Sequence, residues 1–143
     1  MTQKDKELLL EDICSRLPYG VKCQIQEDED IYIGTLHIIE VDDKNGHLLD
    51  FIEPISGLNC QVYLSEIKPY LFPLSSMTEE QKNDMFNYCY NAEQEASKFS
   101  NGKLKFVYDY EIVKIDWCNK NNFDYRGLIE KGLAIDATNL NIY

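Results

Sequence analysis

No apolar run in the chain approaches the roughly 18 residues that a membrane-spanning helix needs, so no transmembrane helix is expected. The opening Met1-Thr2-Gln3-Lys4-Asp5-Lys6-Glu7 is too polar, and the apolar stretch behind it too short, for a secretory signal. Basic residues are scarce. Fourteen Lys and Arg face 25 Asp and Glu, for a net charge of −11. Phosphate backbones repel such a surface unless its cations cluster. The closest basic pair of the C-terminal half, Lys103 and Lys105, is soon followed by Asp109 and Glu111. Direct nucleic-acid binding is therefore not expected. Glycine-rich phosphate loops and a G-x-S-x-G nucleophile elbow are absent. The five cysteines (Cys14, Cys23, Cys60, Cys89 and Cys118) are odd in number and form no C-x-x-C pair. That excludes a regular disulfide or zinc framework and points to buried, reduced thiols in a cytoplasmic protein.

Histidine is limited to His37 and His47, on either side of an Asn45-Gly46 turn that also holds Asp42 and Asp43. A hairpin could bring the two imidazoles together for a metal, but strand histidines are more often half-exposed surface residues. His37 could also serve as a base to Cys23 or Cys60, although nothing in the spacing demands it. No catalytic residue, metal ligand or cofactor is assigned.

What the chain does contain is a globular core. Apolar residues make up 44% of 143 residues and aromatics 12%, enough to fold as one domain without disulfide or metal staples. The fold class expected is α+β in one compact domain of residues 1–143. It has an N-terminal helix over 4–17, a small SH3-like β-barrel over 20–72 and a mostly helical section over 76–143.

The helix is expected because Leu9, Leu10, Ile13, Cys14 and Leu17 share a stripe, with Lys4, Lys6, Glu7, Glu11 and Asp12 mostly opposite. Pro18-Tyr19-Gly20 stops it. The period then drops to two. Val21, Cys23 and Ile25 alternate with polar residues, and a longer strand runs from Ile31 to Val41, bent at Gly34. The Asn-Gly turn leads into a strand over 47–52, and another runs from Cys60 to Leu64 before a single helical turn near Ser65. Lys68-Pro69-Tyr70-Leu71-Phe72-Pro73 reads as a stiff, extended connector. Thr78 and Gln81 form a capping box for a helix over 78–98, with Met85, Cys89, Ala92, Ala96 and Phe99 inside, joined by Phe86 and Tyr88. A short extended piece from Leu104 precedes a last helix over 110–122.

The closing phrase FDYRGLIEKGLAIDA, residues 123–137, is the most specific in the chain. Asp124 can cap a turn through Tyr125, Arg126, Gly127 and Leu128, and Gly132 can take the left-handed position that ends it. Leu128, Ile129, Leu133 and Ile135 would then bury against the preceding helices, as a clasp. Arg126 has two readings. It can pair internally with Asp124, Asp116 or Glu111, or it can stack and fork onto a ligand's carboxylate or phosphate. With Tyr125, Asp124, Trp117 and Tyr70 it forms the candidate binding patch.

The segments LLLEDICSRLPYGVKCQI, IKPYLFPLSSMTEEQ and DWCNKNNFDYRGLIEKGLAIDA resemble an uncharacterised family of small proteins from gut Bacteroidales and their phages and mobile elements. The likeness spans about residues 7–137, matching only in pattern over 24–62. It implies bacterial, intracellular provenance and assigns no catalytic residue. The function expected is a non-catalytic interaction module, an accessory factor that binds a host protein in the bacterial cytoplasm. Homo-oligomerisation is possible. Tyrosine-rich surfaces suit interfaces, and the acidic charge suits a basic protein face. The alternatives are a nucleotide-signal binder built on Tyr125-Arg126, a small enzyme using His37 or a cysteine, and a DNA mimic.

Overall fold

The computed structural model describes residues 1–27, 29–42, 46–52, 59–99 and 109–143. The Pro54–Gly57 loop, the extended piece expected from Leu104 and the tip of the Asn-Gly turn lie outside them.

The chain is a mixed α+β protein. Helix α1 (Gln3–Arg16) is followed by strands β1 (Lys22–Glu27), β2 (Asp30–Asp42), β3 (Gly46–Ile52) and β4 (Asn59–Tyr63). A single 3₁₀ turn over Leu64–Glu66 leads to β5 (Ile67–Pro73). Then come helices α2 (Glu79–Phe99) and α3 (Tyr110–Lys120) and two short strands, β6 (Phe123–Asp124) and β7 (Ile135–Asp136).

Local chemistry fixes the helix ends. The Thr2 hydroxyl accepts from the Asp5 N–H at 3.2 Å, and the Asp5 carboxylate accepts from the Thr2 N–H at 3.0 Å, a reciprocal capping box. Thr78 and Gln81 do the same for α2, at 3.2 and 2.9 Å. Asp109 caps α3 by accepting from the Glu111 N–H at 3.0 Å. After α1, residues Leu17–Tyr19 tighten into a 3₁₀ turn and Gly20 takes φ +67°. A Cβ at Gly20 would also sit 3.3 Å from the Thr35 methyl, so both backbone and packing favour glycine there.

The sheet runs β4-β3-β2-β1-β5-β6, with β7 also on β5. β1 to β4 form an antiparallel meander, and β5 returns to pair with β1 at Cys23↔Pro69. β6 and β7 join β5 in parallel, which makes the sheet mixed. The closure expected of a barrel is not met among the described residues: β4 pairs only with β3, and the sheet stays open.

Two local expectations are corrected. The irregularity in β2 is not at Gly34, which pairs in register with Cys23; it lies between Leu36 and Ile38. His37 drops out of the ladder there, and His37 and Ile38 are both exposed in succession, the break in alternation that a bulge produces. The segment 68–73, expected as an extended connector, is extended but forms an interior strand. Pro69, Tyr70 and Leu71 are buried, because β5 has partners on both its halves.

Two apolar clusters form. The larger joins Leu9 and Ile13 of α1, the inward residues of β1 to β5, and Leu128, Leu133 and Ala134 of the closing segment. The smaller centres on Trp117, Cys118 and Phe123, with Phe72, Met77, Met85, Tyr88 and Tyr125 against them. Thus, of the preceding helices, the closing leucines bury against α1, together with the sheet, and not against α2 or α3.

Candidate functional site

The closing phrase is held by a buried charge network that starts on α1. Arg16 and Asp12, one helical turn apart, are both fully buried. The Arg16 guanidinium donates from Nε to Asp12 Oδ2 at 2.8 Å and from Nη2 to Asp12 Oδ1 at 3.0 Å, a forked pair. Its remaining hydrogens reach across the fold. Nη2 donates to the Phe123 carbonyl at 2.8 Å and Nη1 to the Cys118 carbonyl at 3.3 Å, at the end of α3. One side chain of α1 therefore satisfies the backbone where the closing segment begins. The expected apolar stripe of α1 is rotated by this pair: Asp12 and Arg16 sit inside, and Cys14 is exposed.

Arg126 extends the network from the other side. Its Nη1 lies 2.9 Å from Glu11 Oε1, and its Nε donates to the Tyr125 hydroxyl at 3.0 Å and lies 3.6 Å from Asp12 Oδ1. The expected internal partners were Asp124, Asp116 or Glu111. The acids that meet Arg126 are on α1, more than a hundred residues earlier. The Tyr125 ring receives both guanidiniums, with Arg126 at 5.0 Å and Arg16 at 5.7 Å from its centroid.

The other members of the predicted patch are committed inside the fold. Both Asp124 oxygens accept backbone N–H groups, from Leu128 at 2.9 Å and Ile129 at 2.8 Å, which is the turn cap expected of it. Gly132 takes φ +69° and ends that turn. Trp117 stacks on Phe123 at 5.5 Å and donates its indole N–H to Asp84 at 3.0 Å. Tyr70 is buried in β5, and its carbonyl accepts the Tyr143 hydroxyl at 2.9 Å. Trp117, Tyr70 and Asp124 therefore do not join Tyr125 and Arg126 in an exposed patch; only the last two reach the half-buried surface. The reason is physical. Residues able to stack and fork onto a ligand are equally able to close a chain on itself.

The final residues add a strap. The Tyr143 hydroxyl accepts from the Lys22 N–H at 3.2 Å and donates to Tyr70, bridging β1 and β5 just past the Cys23↔Pro69 pair. The Lys22 ammonium donates to the Ile142 carbonyl at 2.5 Å and lies 5.5 Å from the Tyr143 ring centre.

The open surface lies elsewhere. A groove of about 620 Å³ runs between α2 and α3, lined by Tyr88, Asn91, Ala92, Glu95, Ile112, Val113 and Asp116. Ile112 is 64% exposed at its edge. Asp116 is held in place by two phenols: Tyr19 donates to one of its oxygens at 2.5 Å and Tyr88 to the other at 2.7 Å. The bond to Asp116, followed by desolvation, pushes the Tyr88 hydroxyl up to about 12. Phe86, expected inside with Tyr88, is 60% exposed on the flank of α2, one turn from the exposed Tyr90.

Thiol and imidazole chemistry has little purchase on this geometry. Burial raises Cys23 far above the ordinary thiol range, and it raises Cys118 too. His37 is exposed in the bulge, while the His47 and Cys60 side chains lie outside the described residues. Among the described residues, no three His, Cys, Asp or Glu side chains converge to hold a metal, and no helix is long and apolar enough to cross a membrane. No family model matches the chain, and neither a curated protein nor a solved structure does.

Apolar periodicity puts Asp12 on the outer face of α1 and gives Arg16 no place, so it does not find the buried Asp12–Arg16 pair. Its signal was the i, i+4 spacing of opposite charges beside Leu9 and Ile13. The groove left a fainter trace in the small Ala92 of α2 and the surplus isoleucines of α3.

Proposed function

We propose that this chain is a non-catalytic interaction module whose binding surface is the α2–α3 groove. The carrying observation is that groove: an open, preformed channel with half-buried Ala92 and Val113 in its lining and Ile112 standing exposed beside them. The residues read in the sequence as a ligand patch are instead engaged in holding the fold together. The nucleotide-signal reading needs a free cation beside Tyr125, whereas Arg126 Nη1 faces Glu11 and its Nε faces Tyr125 and Asp12.

We read the partner as a host protein in the bacterial cytoplasm, and the chain as a phage or mobile-element accessory factor. The three sequence segments that resemble the Bacteroidales family support that provenance. We further read β1 to β5 as an SH3-like unit. A four-strand meander, a 3₁₀ turn and a fifth strand that returns to β1 support it, although the sheet is not closed among the described residues.

Site-specific photo-crosslinking in host lysate tests the reading. A photoreactive residue at position 112 or 91 should give one common adduct, and the same residue at 126 should give none. Adducts of equal yield from all three positions, or an adduct from 126 alone, would move the surface away from the groove.

A further inference from the structure

We infer that the α2–α3 groove takes a cationic, amphipathic helix of a partner protein, about three turns long; this rests on the groove being the binding surface. Three features of the molecule lead there.

Shape comes first. The groove lies between two helices, so a third helix can complete a bundle by setting its ridges between theirs. Tyr88, Ala92 and Glu95 fall at i, i+4 and i+7 of α2 and make one rim. Ile112, Val113 and Asp116 of α3 make the other. Ala92, the smallest of these residues, leaves a hole between Tyr88 and Glu95 that a leucine or isoleucine knob fills. The 11 residues of α3 extend about 16 Å at 1.5 Å per residue, which sets the length of an occupant at about three turns.

Charge comes second. Each rim carries a carboxylate, Glu95 on α2 and Asp116 on α3. Among the described residues neither has a cation within ion-pair distance. The phenols on Asp116 orient it without neutralising it, and each carboxylate oxygen retains acceptor capacity. An occupant with Lys or Arg one turn on either side of its apolar knob meets both acids. Such rim pairs act mainly on association rate and on the choice of partner.

Third, the charge of −11 argues against a second copy of this chain as the occupant, since two such surfaces repel.

The probes are two labelled 14-residue peptides with leucines at helical spacing, one carrying lysines at every polar position and the other glutamates. Binding is followed by fluorescence anisotropy and mapped by amide chemical shifts. The lysine peptide should bind, shift Ala92 and Val113, and weaken at least tenfold with Ile112→Ser. Glu95→Lys should reduce its affinity several-fold, and the glutamate peptide should bind at least tenfold more weakly than the lysine peptide. Both substitutions sit at exposed positions and should leave the fold intact. Equal binding of the two peptides in the groove would overturn the cationic assignment and leave the groove standing. Shifts confined to other surfaces, or indifference to Ile112→Ser, would overturn the groove itself. Concentration-dependent dimerisation abolished by Ile112→Ser would replace the cationic helix with a second copy.

Discussion

Replacing Arg16 with methionine isolates the pair that ties α1 to the closing segment. Methionine keeps the volume and flexibility of the arginine stem and removes the charge and every donor. Asp12 would stay fully buried with its forked partner gone, leaving only Arg126 at 3.6 Å. Breaking one side of a buried pair in this way destabilises by about 3–5 kcal/mol. The Phe123 and Cys118 carbonyls would also lose a donor. Against a domain stability of roughly 5–15 kcal/mol, that loss removes a large fraction. For a chain of this length it corresponds to a Tm lower by roughly 10–15 °C. The assay is urea unfolding followed by the emission of Trp117, the only tryptophan, whose ring is buried beside Phe123. Arg126→Met is the control. Glu11 is 65% exposed, so that ion pair contributes at most about 1 kcal/mol. The double variant Asp12→Leu/Arg16→Met should recover part of the loss, because no charge is stranded, but not all, because the carbonyls still lack their donor. A single-variant effect below about 1 kcal/mol, or equal effects of Arg16→Met and Arg126→Met, would refute the reasoning.

Three further outcomes are expected. Tyr88 should ionise near pH 12 in a 295 nm titration, and Tyr88→Phe should remove that step; because its folded value lies above the unfolded value of about 10, its contribution to stability is complete below pH 10 and is lost as pH rises towards 12. Of Cys14, Cys23, Cys89 and Cys118, only the exposed Cys14 should react with a thiol reagent before unfolding, as mass mapping of the labelled native protein would show. Tyr143→Phe removes both bonds that bridge β1 and β5, so thermal melting should show a loss of about 1–2 kcal/mol.

The helices and strands were readable because period and punctuation agreed. Thr78 and Gln81 announced the start of α2, and Pro18-Tyr19-Gly20 announced the end of α1. The alternation of Val21, Cys23 and Ile25 gave β1. Rules of hydrophobic periodicity fail where a charge goes inside, as with Asp12 and Arg16, since a fully satisfied ion pair is invisible to an apolar stripe. They also fail to separate a proline-bearing interior strand from a linker. Pro69 lacks an N–H yet still sits in the β1–β5 register opposite Cys23. The closing phrase was legible as a clasp through Asp124 and Gly132. Its arginine had no sequence signal naming a partner, because Glu11 and Asp12 come near it only after the sheet has carried the chain back to α1. The groove depends on the relative placement of two helices, which neither helix encodes alone.

The most direct measurement is native-state amide hydrogen exchange across the closing segment, since the central claim is that residues 123–137 are an integral clasp. The amides of Leu128 and Ile129, bonded to Asp124, and of Ala137, bonded to the Leu71 carbonyl, should exchange only with global unfolding, at the rate of the β1–β2 amides. Exchange at those three amides orders of magnitude faster than in β1 and β2 would contradict it. The segment would then be a detachable tail, and Tyr125 and Arg126 would return as a binding site.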